Sequence, residues 1–270
     1  MTDERREDSV GVRVGHGLVP EDERVRYVRG MFGAIAPRYD LANTLLSAGL
    51  HRVWKRGTVR LVGASLGDRA VDVCCGTGDL ALLLAKRVGP GGAVLGVDFS
   101  EEMLRIARRR AAAAGLARIC RFAEGDAEAL ALRDATFDVA TVGFGIRNVR
   151  SPEAALRELR RVLRPGGRLA VLEFSRPSNA AVRALYDWYS FAVVPRVGRI
   201  VASHPDAYAY LPTSIRRWPD QRGFAEILRN VGFADIEVRN ILTGVAAIHV
   251  AVGDGPARGG AVPARARSGG

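Results

Sequence analysis

Lysine is nearly missing from this chain. Lys55 and Lys86 are the only two, and arginine supplies the rest of 40 basic residues. Cysteine is scarce as well: Cys74, Cys75 and Cys120 are all there is. Two adjacent thiols and one distant one form neither a disulfide framework nor a zinc-binding spacing, so no metal site is expected and a reducing compartment is. No apolar run approaches the roughly 20 residues of a membrane-spanning helix. The opening residues Met1 to Asp8 are charged and contain no apolar signal core, so the expected location is the cytoplasm. Arginine clusters interleaved with aromatics are absent too, and nucleic acid is not an expected partner. The formal net charge of +11 then has two readings. One is a coding bias toward Arg, Ala and Gly, and the other is a surface attracted to anionic lipid.

What is present is organised around Ala70-Val71-Asp72-Val73-Cys74-Cys75-Gly76-Thr77-Gly78-Asp79-Leu80. A short β-branched run ends in two closely spaced glycines, and Leu80, Leu83, Leu84 and Val88 continue at helical spacing. This is the pattern of a buried strand, a tight turn and a helix. The turn brings backbone close to a ligand, and the N–H groups of the helix start face it. A second apolar run, Ala93 to Val97, ends in Asp98, where a carboxylate can accept from two ribose hydroxyls.

At 270 residues the chain suits one α/β domain with an insertion. Residues 1–20 are polar and are expected to be disordered. Residues 21–65 read as a helical cap: Val25, Val28, Met31 and Phe32 fall at helical spacing, and a second helix runs from about His51 through Val62. Strands are expected at about Arg69–Cys74, Ala93–Asp98, Ala117–Ala123, Phe137–Val142 and Arg168–Phe174. Helices lie between them, with Ser100 and Ser151 as N-caps. Residues 175–220 break this rhythm with seven aromatics and five prolines and read as a helical insertion. A helix at about Gly223–Val231 restores it. Two strands in succession, Ala234–Val238 and Val245–Val252, imply an antiparallel hairpin on an otherwise parallel sheet. The tail, 253–270, is expected to be disordered.

Gly76-Thr77-Gly78-Asp79-Leu80-Ala81 fits G-x-G-x-x-A and formally admits a dinucleotide such as NAD. Two acids argue for S-adenosylmethionine instead. Asp72, ahead of the glycines, would repel a pyrophosphate but suit an ammonium or sulfonium. Asp126, past the third strand, can accept from an adenine amino group. The Pro-Gly-Gly turn, fifth strand and final hairpin give a layout that resembles class I methyltransferases: a Rossmann-like seven-stranded sheet, mostly parallel, plus the helical cap and insertion.

A narrower resemblance follows. Tyr39 to Trp54 (YDLANTLLSAGLHRVW) is similar to the N-terminal signature of the ubiquinone/menaquinone biosynthesis C-methyltransferases. Arg161 to Ser175 (RVLRPGGRLAVLEFS) resembles their second signature, and Phe144 to Val149 and Tyr208 to Ile215 resemble further shared blocks. The similarity covers about Arg24 to Val252. Ala42 stands where the family usually has Met and Arg164 where it has Lys. Gly143 aligns with a cofactor-contacting Ser, so that side-chain contact is lost. The resemblance implies cofactor contacts at Thr77, Asp98, Asp126 and Ala127, beside the Asp72, Gly76, Gly78 and Gly143 backbone cradle.

The implied reaction moves a methyl group to a ring carbon of a prenylated quinol, with demethylmenaquinol favoured by the Cys-Cys-Gly-Thr-Gly-Asp turn. A ubiquinone precursor, another phenolic or polyketide substrate, and an NAD-binding oxidoreductase are the alternatives. A deprotonated ring hydroxyl must push electrons onto the carbon, and the candidates to orient the ring and manage the proton are Tyr39, Asp40, His51, Arg147 and Asn148. Arginine acts there electrostatically, because its pKa is too high for an ordinary base. The aromatic, proline-broken insertion is a candidate for peripheral contact with the membrane that carries the substrate. A homodimer stays open.

Overall fold

The computed structural model describes residues 12–14, 17–19, 30, 33, 36, 40, 44, 47, 49–189, 192 and 213–253. Nine strands and six α-helices are defined within them. A short antiparallel pair comes first, β1 (Val12–Val14) and β2 (Gly17–Val19), inside the stretch expected to lack structure. Seven further strands form one sheet: β3 (Arg69–Val73), β4 (Ala93–Asp98), β5 (Cys120–Glu124), β6 (Phe137–Gly143), β7 (Leu163–Phe174), β8 (Ala234–Ile241) and β9 (Ala246–Val252). Their order is β5-β4-β3-β6-β7-β9-β8. The first five run parallel; β9 lies antiparallel to both β7 and β8, which gives the expected C-terminal hairpin.

Parallel strands are covered on both faces, and the sequence supplies apolar residues for both. On one face Val71, Val73, Ala140, Val142 and Val171 pack against α4 (Pro152–Val162) and α6 (Gln221–Asn230) through Leu156, Leu159, Phe224 and Leu228. On the other, Ala70, Val139, Ala170, Leu172 and Ile248 meet α1 (Leu50–Val62) and α2 (Asp79–Val88) through Trp54, Val62, Leu80 and Leu84. Helix α1 is therefore an ordinary layer helix of the sheet.

The helix starts follow their caps. Ser100 accepts from the Met103 N–H at the head of α3 (Glu101–Ala113), and Ser151 accepts from the Ala154 N–H at the head of α4, where Pro152 takes the first turn. Each such cap stabilises by about 1 kcal/mol. Strand β7 begins earlier than the expected Arg168, because Leu163 already pairs with Phe137 before the Pro165-Gly166-Gly167 turn shifts the register. Helix α5 (Ala180–Trp188) occupies the start of the insertion, and residues 213–217 are helical. Tyr208, Tyr210, Phe191 and the 254–270 tail lie outside the described residues.

Strand order reverses between β3 and β6, which puts the ligand crevice of an open α/β sheet beyond the carboxyl ends of these two strands.

Candidate functional site

A cavity of about 460 Å³ opens at that crevice. Its wall comes from the ends of four adjacent strands: Val73, Cys74 and Gly76 after β3, Asp98 and Phe99 after β4, Glu124 to Glu128 after β5, and Gly143 to Gly145 after β6. Met103 from α3 and Asn148 to Arg150 complete it.

Asp98 ends β4 and is buried. Its Oδ2 accepts from the Gly76 N–H at 2.8 Å and its Oδ1 from the Ser100 N–H at 3.0 Å. One carboxylate thus ties the glycine turn to the head of α3. It also lines the cavity, at the strand tip where a ligand hydroxyl would meet it. Gly76 has φ 53°, in the left-handed region where a side chain is strained. Asp126 accepts from the Glu128 N–H at 2.9 Å and lines the cavity beside the buried Ala127. Gly143 lines it too. A Cβ there would come within 2.6 Å of Leu80 Cδ1.

The sequence places five other candidates at the cavity, and the structure puts them off its wall. Asp72 is 1 % exposed and absent from the cavity wall. Neighbouring strand residues point to opposite faces, so with Val73 on the cavity side Asp72 turns to the α2 side. There its Oδ1 accepts from Thr141 Oγ1 at 2.7 Å and its Oδ2 from the Ala81 N–H at 3.0 Å. Burial pushes its carboxyl up to about 7. Thr77 donates to Asp40 Oδ1 at 2.7 Å, and Arg110 donates to the Thr77 hydroxyl at 3.0 Å and to Asp40 Oδ2 at 3.1 Å. Arg110 also meets Asp79, which pairs with Lys55 at 2.7 Å. Burial opposes ionisation of Asp79, but Lys55 and Arg110 outweigh it and hold its carboxyl below the usual carboxylate range. Thr77 and Asp40 thus belong to a charged network behind the turn. Gly78 also stays off the wall: a Cβ there would meet Ala107 and Phe122 at 3.1 Å, a packing constraint. His51 is buried on α1, with Nδ1 2.7 Å from Ser47 Oγ. Burial, and then Lys55, lowers its pKa. Tyr39 lies outside the described residues.

Arg147 and Asn148 share a 3-10 turn (Ile146–Asn148) just after β6. Asn148 lines the cavity. Arg147, on the same turn, is buried: its Nη1 donates to Glu173 Oε1 at 2.6 Å and to the Phe144 carbonyl at 2.9 Å. Its guanidinium carbon stands 5.5 Å from the centre of the Phe174 ring, and Phe174 packs on Phe144 at 4.7 Å. Trp54 lies 6.3 Å from Phe144.

Several wall residues escaped sequence reading. Glu124, Glu128 and Arg150 carry no motif. Phe144 stands inside a recognisable block, but its left-handed φ of 59° is not legible there. Glu173, which is off the wall and pairs with Arg147, had a signal: an acid near the end of an otherwise apolar strand. The thiols of Cys74 and Cys75 are pushed well above the ordinary value, first by burial and then by Asp98, which suits packing residues.

This fold is that of the class I methyltransferases. A SAM-dependent methyltransferase from Aquifex aeolicus superposes with a TM-score of 0.54 at 20 % identity, over 74 % of this chain and 89 % of that one. The ubiE/COQ5 methyltransferase family matches residues 19–253, and the chain belongs to it. The ubiquinone/menaquinone biosynthesis C-methyltransferase UbiE of Azotobacter vinelandii is 44 % identical over 92 % of this chain and 98 % of its own length. The protein of the same name from Roseobacter denitrificans is 45 % identical over 87 % and 94 %. The cofactor that membership implies is S-adenosylmethionine.

The residues present fit that group. The charged residues of the cavity wall are Asp98, Glu124, Asp126, Glu128 and Arg150, and Arg150 is paired with Glu128 at 3.6 Å. A predominantly acidic wall suits an ammonium and a sulfonium. It disfavours the two negative charges of a pyrophosphate, so the glycine pattern does not mark an NAD site.

Proposed function

We propose that this enzyme methylates a ring carbon of a prenylated quinol, with demethylmenaquinol as substrate and menaquinol as product. The observation that carries the reading is the turn holding Asn148 on the cofactor cavity and Arg147 against the Phe144–Phe174 ring pair. Asp98 would hold the ribose hydroxyls, and Asp126 and Ala127 the adenine edge. S-adenosylmethionine supplies the methyl as a sulfonium electrophile.

The chain's own residues then have three tasks. Phe144 and Phe174 offer flat apolar surface to an aromatic ring. Asn148 can fix a ring hydroxyl through its amide. The Arg147 guanidinium stabilises the phenolate electrostatically, lowering the cost of releasing the hydroxyl proton to solvent. Its Nη2 makes no hydrogen bond among the described residues and would be the nitrogen that meets a substrate oxygen. The preference for a naphthoquinol over a benzoquinol rests on Cys74-Cys75, which resembles the menaquinone-side members of the family.

We place the enzyme at the membrane surface, where a prenylated substrate resides. No helix among the described residues is long and apolar enough to cross a membrane. Helix α5 buries none of its residues, and Leu185 and Trp188 on it are more than 60 % exposed. An apolar patch beside Arg183 suits an interface. Supplying the purified enzyme with labelled S-adenosylmethionine and demethylmenaquinol, or the demethylated benzoquinol, tests the reading. Label in the naphthoquinol supports it; label in the benzoquinol alone assigns the chain to the ubiquinone branch.

A further inference from the structure

Glu173 has no part in the reading so far, yet it is an expensive residue. It stands one residue from the end of β7 and is 1 % exposed. Burial disfavours its charged form, and Arg147 only partly offsets this. Oε1 is well satisfied, accepting from Arg147 Nη1 at 2.6 Å and from the Phe174 N–H at 2.8 Å. Oε2 is buried with no hydrogen-bond partner.

Two more buried atoms share that condition, Ser175 Oγ and His249 Nδ1. The strand register brings all three to one face of the sheet. His249 is paired with Val171, Glu173 with Ala247, and the Ser175 N–H continues the ladder to the Val245 carbonyl. Paired residues share a face, as do residues two apart along a strand. Every unpartnered buried side-chain atom among the described residues therefore lies on this face near the end of β7. Deeper in the same layer the neighbours are Leu169, Val171 and Ala251, which are apolar. An apolar pair in place of a buried Arg–Glu pair is commonly as stable or more so, so packing alone does not explain why this one is here. Buried unsatisfied polar groups call for a reason of this kind.

We propose that Glu173 is the positioning residue for Arg147: together with the Phe144 carbonyl it pins Nη1, and Phe174 supports the guanidinium from its face. Nε donates to Ser214 Oγ at 3.4 Å, so Nη2 is the guanidinium nitrogen left over. Fixing three sides of a planar fork leaves its fourth side in one place, which is what stabilising charge in a transition state requires. The negative charge of Glu173 also keeps Arg147 tolerable in a dry environment. This inference rests on the reading of Arg147 given above, and it adds a residue that acts only through Arg147.

A mutant cycle tests it, using Arg147→Ala, Glu173→Gln and the double variant, with kcat, quinol KM, cofactor affinity and melting temperature measured for each. Glu173→Gln keeps the shape and an acceptor but removes the charge. We expect kcat to fall about 10- to 100-fold, with quinol KM and cofactor Kd changed less than about threefold. The double variant should be no slower than Arg147→Ala alone, because a residue acting through Arg147 has nothing left to position. Glu173→Asp, which restores the charge one methylene short, should recover part of kcat; it also serves as the second variant if the Gln form is poorly folded. If Arg147→Ala is inactive while Glu173→Gln turns over normally, or if the two losses multiply, the positioning role is wrong and the reading of Arg147 stands. A parallel loss of cofactor affinity and melting temperature in Glu173→Gln also overturns it, as the mark of a residue needed only for folding. If Arg147→Ala keeps normal turnover, the reading of Arg147 fails and the proposal with it.

Discussion

Replacing Asp72 with Asn should stabilise the ligand-free protein, and by an amount that grows with pH. Asp72 is wholly buried at the end of β3, and burial raises its carboxyl from an ordinary 3.8 to about 7. The native state therefore binds this proton more tightly than the unfolded chain does. Stability from that difference is fully present below about 3.8 and is lost as pH rises through about 7. A displacement of roughly three pKa units corresponds to about 4 kcal/mol once the group is ionised in both states. The neutral amide carries no such penalty. Its Oδ1 can accept from the Ala81 N–H, and its amide N–H can donate to Thr141 Oγ1 once that hydroxyl rotates. Asp72→Asn should thus gain about 2 kcal/mol over the parent near pH 5 and about 4 kcal/mol near pH 8. Other titrating groups, Asp79 among them, are common to both proteins and cancel. Urea denaturation at the two pH values, with equal m-values, measures the difference. A gain that is the same at both, or that shrinks at the higher pH, would refute the claim that Asp72 is an ionisable group held in the dry layer beneath α2.

Four other outcomes are expected. Asp98→Ala removes two backbone hydrogen bonds and the strand-tip carboxylate, and should weaken S-adenosylmethionine binding about 100-fold or more by calorimetry. Gly143→Ala places a methyl against the far end of the Leu80 side chain, whereas Gly145→Ala places one 2.3 Å from Cys74 Cβ next to the backbone. The first should cost about 1 kcal/mol in thermal melts and the second at least about 2 kcal/mol. His51→Ala should leave kcat within about threefold, since His51 is bonded to Ser47 and off the cavity wall; a loss of about 100-fold would restore it as a candidate base. Replacing Leu185 and Trp188 with Ser should reduce flotation with anionic vesicles about tenfold, and unchanged flotation would remove α5 from the membrane contact.

The sheet was readable in the sequence because its strands are short β-branched runs bounded by Gly-Pro-Gly-Gly, Ser-Pro and Pro-Gly-Gly punctuation. The Ser100 and Ser151 caps fixed two helix starts, and both were found. Asp98 and Asp126 reached the cavity because each follows directly on the carboxyl end of its strand. Asp72 did not, because one step along a strand reverses the face, and spacing alone does not say which face looks onto the ligand. Thr77 and Asp40 were drawn away by Arg110, 33 and 70 residues distant. The Arg147–Glu173 pair spans 26 residues and two strands. Such contacts depend on sheet order, which local pattern does not encode.

The proposed methyl transfer to a naphthoquinol carbon can be observed directly. The direct measurement is mass spectrometry of the quinol after incubating the enzyme with methyl-labelled S-adenosylmethionine and demethylmenaquinol in lipid vesicles. One labelled methyl on the ring carbon and one S-adenosylhomocysteine per product are expected, with loss of both in Arg147→Ala. Cofactor binding with no label in the naphthoquinol would contradict the proposal.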